Sequence, residues 1–423
     1  MHFGQMQVKS QTTCLHRRVV LFLEKYGTID VMLKNFYNRL SIGKDLYHTY
    51  KKEIHLAKNI SIRDKPLMQE LEKACKNNFG VLTYAEYTAI EQFGDNGFYA
   101  TSDLHGKTDI DDRWGMALAT YCQKNSLERI IEVGCGSGEL GIETVIAYEK
   151  LTNKHLKWTG IEIDKRIHEN IKVLFTTYSV QESIEQIATT LDEVSVKPNT
   201  LIVFPYSLDN IPPHVFLNTT EKRMYPDALL GMTMNNGKLS EIIIPQEILQ
   251  KKGITLSNGM FTQNNITYKL TTWKLRKGQR AYIATDVYTM LYQYAKKFGG
   301  SAHLIIIDEF RDASLAISWE NLGTPKSLYE RNLVMNDRIR YYRESGMHNS
   351  YFPVYKDSLL QFLNTIGFQS ITYDIEQKVA AQLSNKKWLP IRKKYTTFAF
   401  LAHTLVRKNH AILSIPFAQK KIW

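Results

Sequence analysis

The sequence predicts an α/β fold built on a doubly wound, mostly parallel sheet, and three observations carry that expectation. The run Arg129 to Val133 is apolar apart from Arg129 and Glu132 and opens directly into Gly134, Gly136 and Gly138, which reads as strand, tight glycine turn and helix. Lys157 to Ile161 gives a second short strand that ends on Glu162. Two further apolar runs, Thr200 to Phe204 and His303 to Asp308, bracket a helical pattern from Thr285 to Phe298, so strands and helices alternate along the chain.

The glycines allow backbone amides to approach a ligand, and the following helix, Glu139 to about Lys150, points its N-terminus at that ligand. The spacing is G-x-G-x-G. A dinucleotide fingerprint would place the third glycine one residue later, where this chain has Glu139. An acid just before the turn repels a pyrophosphate and suits a ligand carrying an ammonium group. Glu162 puts a carboxylate at the carboxyl edge of the neighbouring strand, where a ribose diol would lie. S-adenosylmethionine has an ammonium, a sulfonium and a ribose, and is therefore the expected cofactor. Its expected contacts are Glu132, Gly134, Cys135, Gly136, Gly138, Glu162 and Ile163.

With 423 residues, 43% of them apolar, the chain can bury one large core or two smaller ones. No window approaches the roughly 20 uninterrupted apolar residues of a membrane helix, so no membrane partner is expected. Cys14, Cys75, Cys122 and Cys135 lack CxxC spacing, which argues against a zinc site or a disulfide framework and for a reducing compartment. Before Glu24 the chain is basic, with Lys9, Arg17 and Arg18. This fits either a mitochondrial transit segment or the start of a helix; the helix is preferred, and with it a cytoplasmic location over the mitochondrial matrix. The net charge of +12 suggests an acidic or polyanionic partner. The charge is spread out, with local clusters at Lys386-Lys387-Trp388, Arg392-Lys393-Lys394 and Lys420-Lys421, so a solvated surface is preferred to an RNA grip.

In chain order, residues 1 to about 80 read as a helical extension, with helical spacing at Ile29 to Leu40 and Pro66 to Cys75, and Val81 to Ile90 reads as a continuation in helix. Phe93 to Tyr99 and the acidic turn Lys107 to Gly115 form a loop able to fold over the cofactor, so 1–110 is taken as one unit. The first half of the sheet domain follows at 111–213, opening with a helix from Met116 to Gln123. Residues 165 to 189 read as a helix and an exposed connection. The strand from Thr200 ends at Pro205-Tyr206-Ser207-Leu208-Asp209, at the switch point of the sheet, which makes Tyr206 and Asp209 candidates for substrate contact. Residues 214–282 break the rhythm and read as a β-rich insertion above the site, with a hairpin at Asn258-Gly259. The second half, 283–423, adds a helix at Lys356 to Thr365 and two strands, Phe368 to Asp374 and Thr396 to Val406, the last antiparallel, before a basic tail.

These pieces together resemble the class I methyltransferases, and within them the MidA-type family, which includes a mitochondrial complex I assembly factor that methylates protein arginine. The resemblance spans roughly residues 81 to 406. It rests on Leu82 to Tyr87, Gly97-Phe98-Tyr99, Thr108-Asp109-Ile110 with Trp114-Gly115, Leu208-Asp209-Asn210-Ile211-Pro212, Gly278 to Ile283 and Ile306-Ile307-Asp308. Where the family has Asn-Glu this chain has Pro205-Tyr206, and Tyr282 replaces a Glu. The resemblance implies a Rossmann-like, seven-stranded methyltransferase sheet and transfer of a methyl group to a protein or peptide, an arginine side chain first. RNA or small-molecule methylation, and a catalytically weak cofactor-binding assembly factor, are the alternatives. A homodimer is compatible with it. Asp109, Asp209 and Tyr206 are the expected catalytic residues, the aspartates holding a guanidinium and helping its proton leave.

Overall fold

The computed structural model describes residues 65–97, 113–297, 303–308, 354–369, 371–384 and 398–402, with short pieces at 56, 60–61, 310–311, 317–318, 404–405 and 412–415. All belong to the compact unit His55–Trp423. Its centre is a seven-stranded sheet of β1 Arg129–Val133, β2 Lys157–Ile161, β3 Ile184–Ala188, β4 Thr200–Pro205, β5 His303–Asp308, β6 Thr372–Ile375 and β7 Phe398–Ala402. The order across the sheet is β3-β2-β1-β4-β5-β7-β6, and every neighbouring pair is parallel except those made by β7, which runs antiparallel to both β5 and β6. The strand order reverses between β1 and β4, which creates the switch point.

Both faces of this sheet are buried, as a mostly parallel sheet requires. Ile130, Leu201, Val203, Ile305 and Ile307 face one layer, with α1 Trp114–Lys124, α2 Glu139–Thr152 and α3 His168–Thr177 packed on them. The alternate residues Ile131, Val133, Ile202, Phe204 and Ile306 meet α4 Thr285–Lys297 and α5 Lys356–Thr365. The expected helices over 116–123, 139–150, 285–298 and 356–365 thus appear with ends shifted by a few residues at most.

Between the end of β4 and the start of α4 the chain builds seven strands, from His214–Leu217 to Arg280–Ile283. Four of them enter a mainly antiparallel second sheet. The other strands, Thr255–Ser257, Met260–Gln263 and Ile266–Lys269, form a meander whose turns are Asn258–Gly259 and Asn264–Asn265. All four turn residues have positive φ, as two-residue hairpins demand. Because the insertion leaves β4 at its carboxyl end, it is anchored at the edge of the central sheet where the glycine turn lies.

Three expectations need correction. Val81–Thr83 is a strand paired with Ala228–Asn235, not the start of a helix. The helix begins at Tyr84, where Thr83 and Glu86 close a capping box, each side chain bonding the other's backbone amide. The N-terminal extension is therefore not wholly helical, and Ile60–Ser61 adds a further strand to the second sheet. The connection expected before residue 190 contains the edge strand β3. The single strand expected over 368–374 is divided: Phe368–Gln369 pairs with Thr404–Leu405, and only Thr372–Ile375 joins the central sheet. The expected helix over 29–40 and the basic loop at 386–394 lie outside the described residues.

Candidate functional site

The glycine turn leaves β1 with Gly134 at φ 70° and enters α2 through Gly138 at φ 79°. A Cβ on Gly134 would lie 2.7 Å from Cβ of Ser207, so this position also lacks room for a side chain. The turn is held against the end of β2: the Gly134 and Cys135 amides donate to the Ile161 carbonyl at 2.8 and 3.1 Å. The Gly136 amide donates to Glu162 Oε2 at 3.0 Å, and the Asp164 amide donates to Glu162 Oε1 at 3.0 Å. Glu162 therefore braces the turn with both oxygens while staying half-buried at the sheet edge. Asp164 is engaged elsewhere, accepting from the Arg166 amide and, bidentately, from its guanidinium. Ile163 is 55% exposed beside Glu162, an apolar side chain at the lip of the turn. The Cys135 thiol is buried, burial pushes its pKa up, and its Sγ donates to the Gly136 carbonyl of the turn at 3.9 Å.

Glu132 stands differently from the sequence reading. It shares a sheet face with Ile130, under α2, and accepts from the indole Nε1 of Trp158 at 2.9 Å. The Gly141 backbone, in the first turn of α2, is its second hydrogen-bond partner. Burial pushes its pKa up to about 8, against the smaller opposing effect of these hydrogen bonds. Burial thus favours its neutral form, and the carboxyl fixes the start of α2 from the helix-covered face of the sheet.

This has a measurable consequence. Between the ordinary carboxylate value of 4.5 and about 8 the folded chain holds a proton that the unfolded chain has released, so Glu132 makes stability fall as pH rises through that window. Glu132→Gln keeps an acceptor for Trp158 but cannot titrate. Urea unfolding is expected to find the two proteins alike in mild acid and the variant more stable above about pH 8, by on the order of a few kcal/mol. Parallel pH profiles for the two proteins would refute this role.

At the switch point Tyr206 has φ 47°, a left-handed conformation that is uncommon for a bulky residue and concentrates at functional sites. Its amide donates to the Ile307 carbonyl at 2.7 Å, extending the β4–β5 ladder by one residue. Its ring packs on the α1–α2 side of the sheet. The following turn is pinned by Asp308, the buried last residue of β5: the Leu208 and Asp209 amides donate to its Oδ2 at 3.0 and 3.3 Å. Asp209 is itself buried and accepts from Asn210 Nδ2 at 3.0 Å. Two buried carboxyl groups thus sit at the adjoining carboxyl ends of β4 and β5. Between them and the glycine turn lies Ser207, whose hydroxyl is buried and unpartnered. Asp109 lies outside the described residues.

Two positions were missed from the sequence. Asp308 was read as the end of a strand and as part of the Ile306-Ile307-Asp308 resemblance but given no site role, although a lone acid closing a buried run at a carboxyl edge was a usable signal. His214, just past Pro212-Pro213, is buried, with Nε2 3.0 Å from Gln263 Oε1 and Nδ1 left without a partner. Among the described residues no group of three or more His, Cys, Asp or Glu could hold a metal ion, and no helix is long and apolar enough to cross a membrane.

The residues fit the ligand class expected of them. The turn offers glycine backbone beside an edge carboxylate, an exposed apolar residue and an orphaned hydroxyl. Two solved structures from Burkholderia thailandensis are similar to this chain over most of its length. One is an uncharacterised protein, 11% identical, with a TM-score of 0.53 over 80% of this chain and 91% of its own. The other, of the same superfamily, is described as a candidate methyl transferase bound to S-adenosyl-homocysteine; it is 11% identical, with a TM-score of 0.52 over 80% of this chain and 92% of its own. The likeness establishes a Rossmann-like methyltransferase fold. No family model and no curated protein matches the sequence.

Proposed function

We propose that the chain is an S-adenosylmethionine-dependent methyltransferase of the MidA type whose acceptor is a protein or peptide, an arginine side chain in particular. The observation that carries the reading is the placement of Asp209 and Asp308, buried beside the turn that would hold the cofactor. When bound, the cofactor supplies a methyl group on a sulfonium that leaves as a neutral thioether. Glu162 would hold the ribose hydroxyls, Gly136 would bring its backbone against the ligand, and Ile163 would cover one face of the adenine. The ammonium is left to backbone and to groups other than Glu132. A guanidinium entering at the switch point is a protonated, planar cation, and carboxylates are the groups that orient it. Transfer to its nitrogen releases one proton, for which Asp209 is the chosen acceptor because Asp308 already receives two backbone amides. Tyr206 would shape the acceptor entrance from its left-handed position.

A second reading, a cofactor-binding assembly factor with little turnover, is favoured by the same bonds, since they give Asp308 a purely structural task. Incubating the protein with cell extract and isotopically labelled cofactor, followed by mass spectrometry, separates the two. Label on protein arginine is expected. Label confined to RNA or small molecules would overturn the acceptor class, and cofactor binding without transfer would favour the assembly factor.

Removal of the edge carboxylate gives a second test. Charge-assisted hydrogen bonds contribute roughly 1.5–3 kcal/mol, so Glu162→Ala is expected to weaken cofactor binding about ten- to a hundredfold. Asp164→Ala should cost less, because its carboxylate serves Arg166. Calorimetry with S-adenosylhomocysteine checks both, and a larger loss at Asp164 would reverse the assignment.

A further inference from the structure

Away from the glycine turn, Asn218 ties two surface segments of the insertion together. It is fully buried, and its Nδ2 donates to the carbonyls of Arg223 and Leu275, each at 2.6 Å. Its backbone accepts from the Gly278 amide at 2.7 Å and donates to the Gln279 carbonyl at 3.1 Å. A further bond, from the Leu275 amide to the Met224 carbonyl at 3.0 Å, locks residues 219–227 alongside 274–279.

The joined segments carry five cations, Lys222, Arg223, Lys274, Arg276 and Lys277, against Glu221 and Asp227. Asp227 is engaged by the amide and hydroxyl of Thr219 at 2.7 and 2.9 Å, which leaves Glu221 as the one exposed acid of the two. Among the described residues Lys222, Lys274 and Lys277 have no carboxylate within ion-pair distance. Like charges on segments joined by a buried hub raise the local potential, which favours an anionic partner. Met224 stands 51% exposed among them and offers an apolar contact. Tyr225, the aromatic ring of these segments, is half-buried and has the Arg223 guanidinium 5.8 Å from its centroid. Binding of single-stranded nucleic acid draws on open rings for successive bases. These segments supply charge and an apolar contact without such a platform.

We propose that residues 219–225 and 274–277 form a docking surface for an acidic segment of a partner protein, one that carries apolar residues among its carboxylates. The surface works independently of methyl transfer. A fluorescein-labelled peptide of repeated Glu-Glu-Leu, which contains no arginine, is titrated with the full chain at low and raised salt, beside an oligouridylate of equal charge. The peptide is expected to bind with an affinity that falls as salt rises, and to lose about tenfold on Lys222→Glu/Lys274→Glu/Lys277→Glu. The control Lys150→Glu/Lys154→Glu, at exposed positions near the end of α2, should bind as the parent does. Thermal unfolding checks that the variants are folded; should the triple variant fail, Lys274→Gln and Lys277→Gln replace it, each expected to weaken the peptide a few-fold. No binding by the parent, equal binding by the substituted proteins, or tighter binding of the oligouridylate would each overturn the proposal. None of these outcomes bears on the cofactor site, which calorimetry reads separately.

Discussion

Replacing Arg280 by methionine is expected to lower the stability of the fold by about 3–5 kcal/mol, because it strands a charge that has no access to water. Arg280 is 1% exposed and pairs bidentately with Glu241, itself 2% exposed, with Nη2 2.9 Å from Oε2. The Tyr84 hydroxyl donates to the same carboxylate, at Oε1. Burial pushes the Arg280 pKa down, but the Glu241 carboxylate outweighs it and the net shift is upward. With the guanidinium removed, Glu241 must ionise unpaired or take up a proton, and Tyr84 loses its ordered acceptor. The double variant Arg280→Met/Glu241→Leu removes both charges and should recover most of the loss, since apolar replacement of a whole buried pair is often neutral. Urea unfolding of the parent, both single variants and the double variant measures the coupling. Purely additive losses would mean that the pair is not the unit holding the insertion to the Tyr84–Phe93 helix.

That cluster shows what the sequence could not reveal. Tyr84 and Glu241 are separated by 157 positions, and Glu241 and Arg280 by 39. Each looks like an ordinary polar residue until the fold brings the start of the Tyr84–Phe93 helix to Glu241 and Arg280 of the second sheet. The central sheet was legible for the opposite reason: β1, β4 and β5 are short, almost wholly apolar runs whose local pattern and punctuation agree. Edge strand β3 was hidden because Glu185 and Gln186 interrupt it, as an edge facing water permits. Of the hairpin turns, Asn258-Gly259 was singled out, whereas Asn236-Gly237 and Asn264-Asn265 carry the same positive φ values and were available to the same argument.

The candidate site was legible in its backbone and less so in its side chains. The glycine spacing located the turn, and the end of β2 located Glu162. The direction of Glu132 followed from a period-two alternation that the reading did not apply: as the neighbour of Val133 it faces the opposite layer, with Ile130 and toward Trp158. Asp209 was found because it follows a buried strand at a switch point, while placing Asp308 beside it required knowing that β5 lies directly beside β4. Topology, not local pattern, assembles that pair.

Gly134→Val is expected to abolish cofactor binding, with a loss of at least about a hundredfold, while leaving a folded but weaker protein. Two penalties combine at this position. A β-branched residue at φ 70° is strained by roughly 1–3 kcal/mol, and its Cβ would sit 2.7 Å from Cβ of Ser207. The Ser207 contact is with a short, buried side chain at the start of the switch-point turn, so relief requires moving either the glycine turn or the segment that carries Asp209. A shift of the glycine turn withdraws the Gly136 amide from Glu162, and a shift of the segment disturbs the bonds to Asp308. The double variant Gly134→Val/Ser207→Gly removes the clash but keeps the strained φ; partial recovery of binding would assign the larger share to sterics, and none would assign it to the backbone. Calorimetry with S-adenosylhomocysteine measures binding, and thermal unfolding measures the accompanying loss of stability. Parent-like affinity in the single variant would place the cofactor somewhere other than the turn after β1.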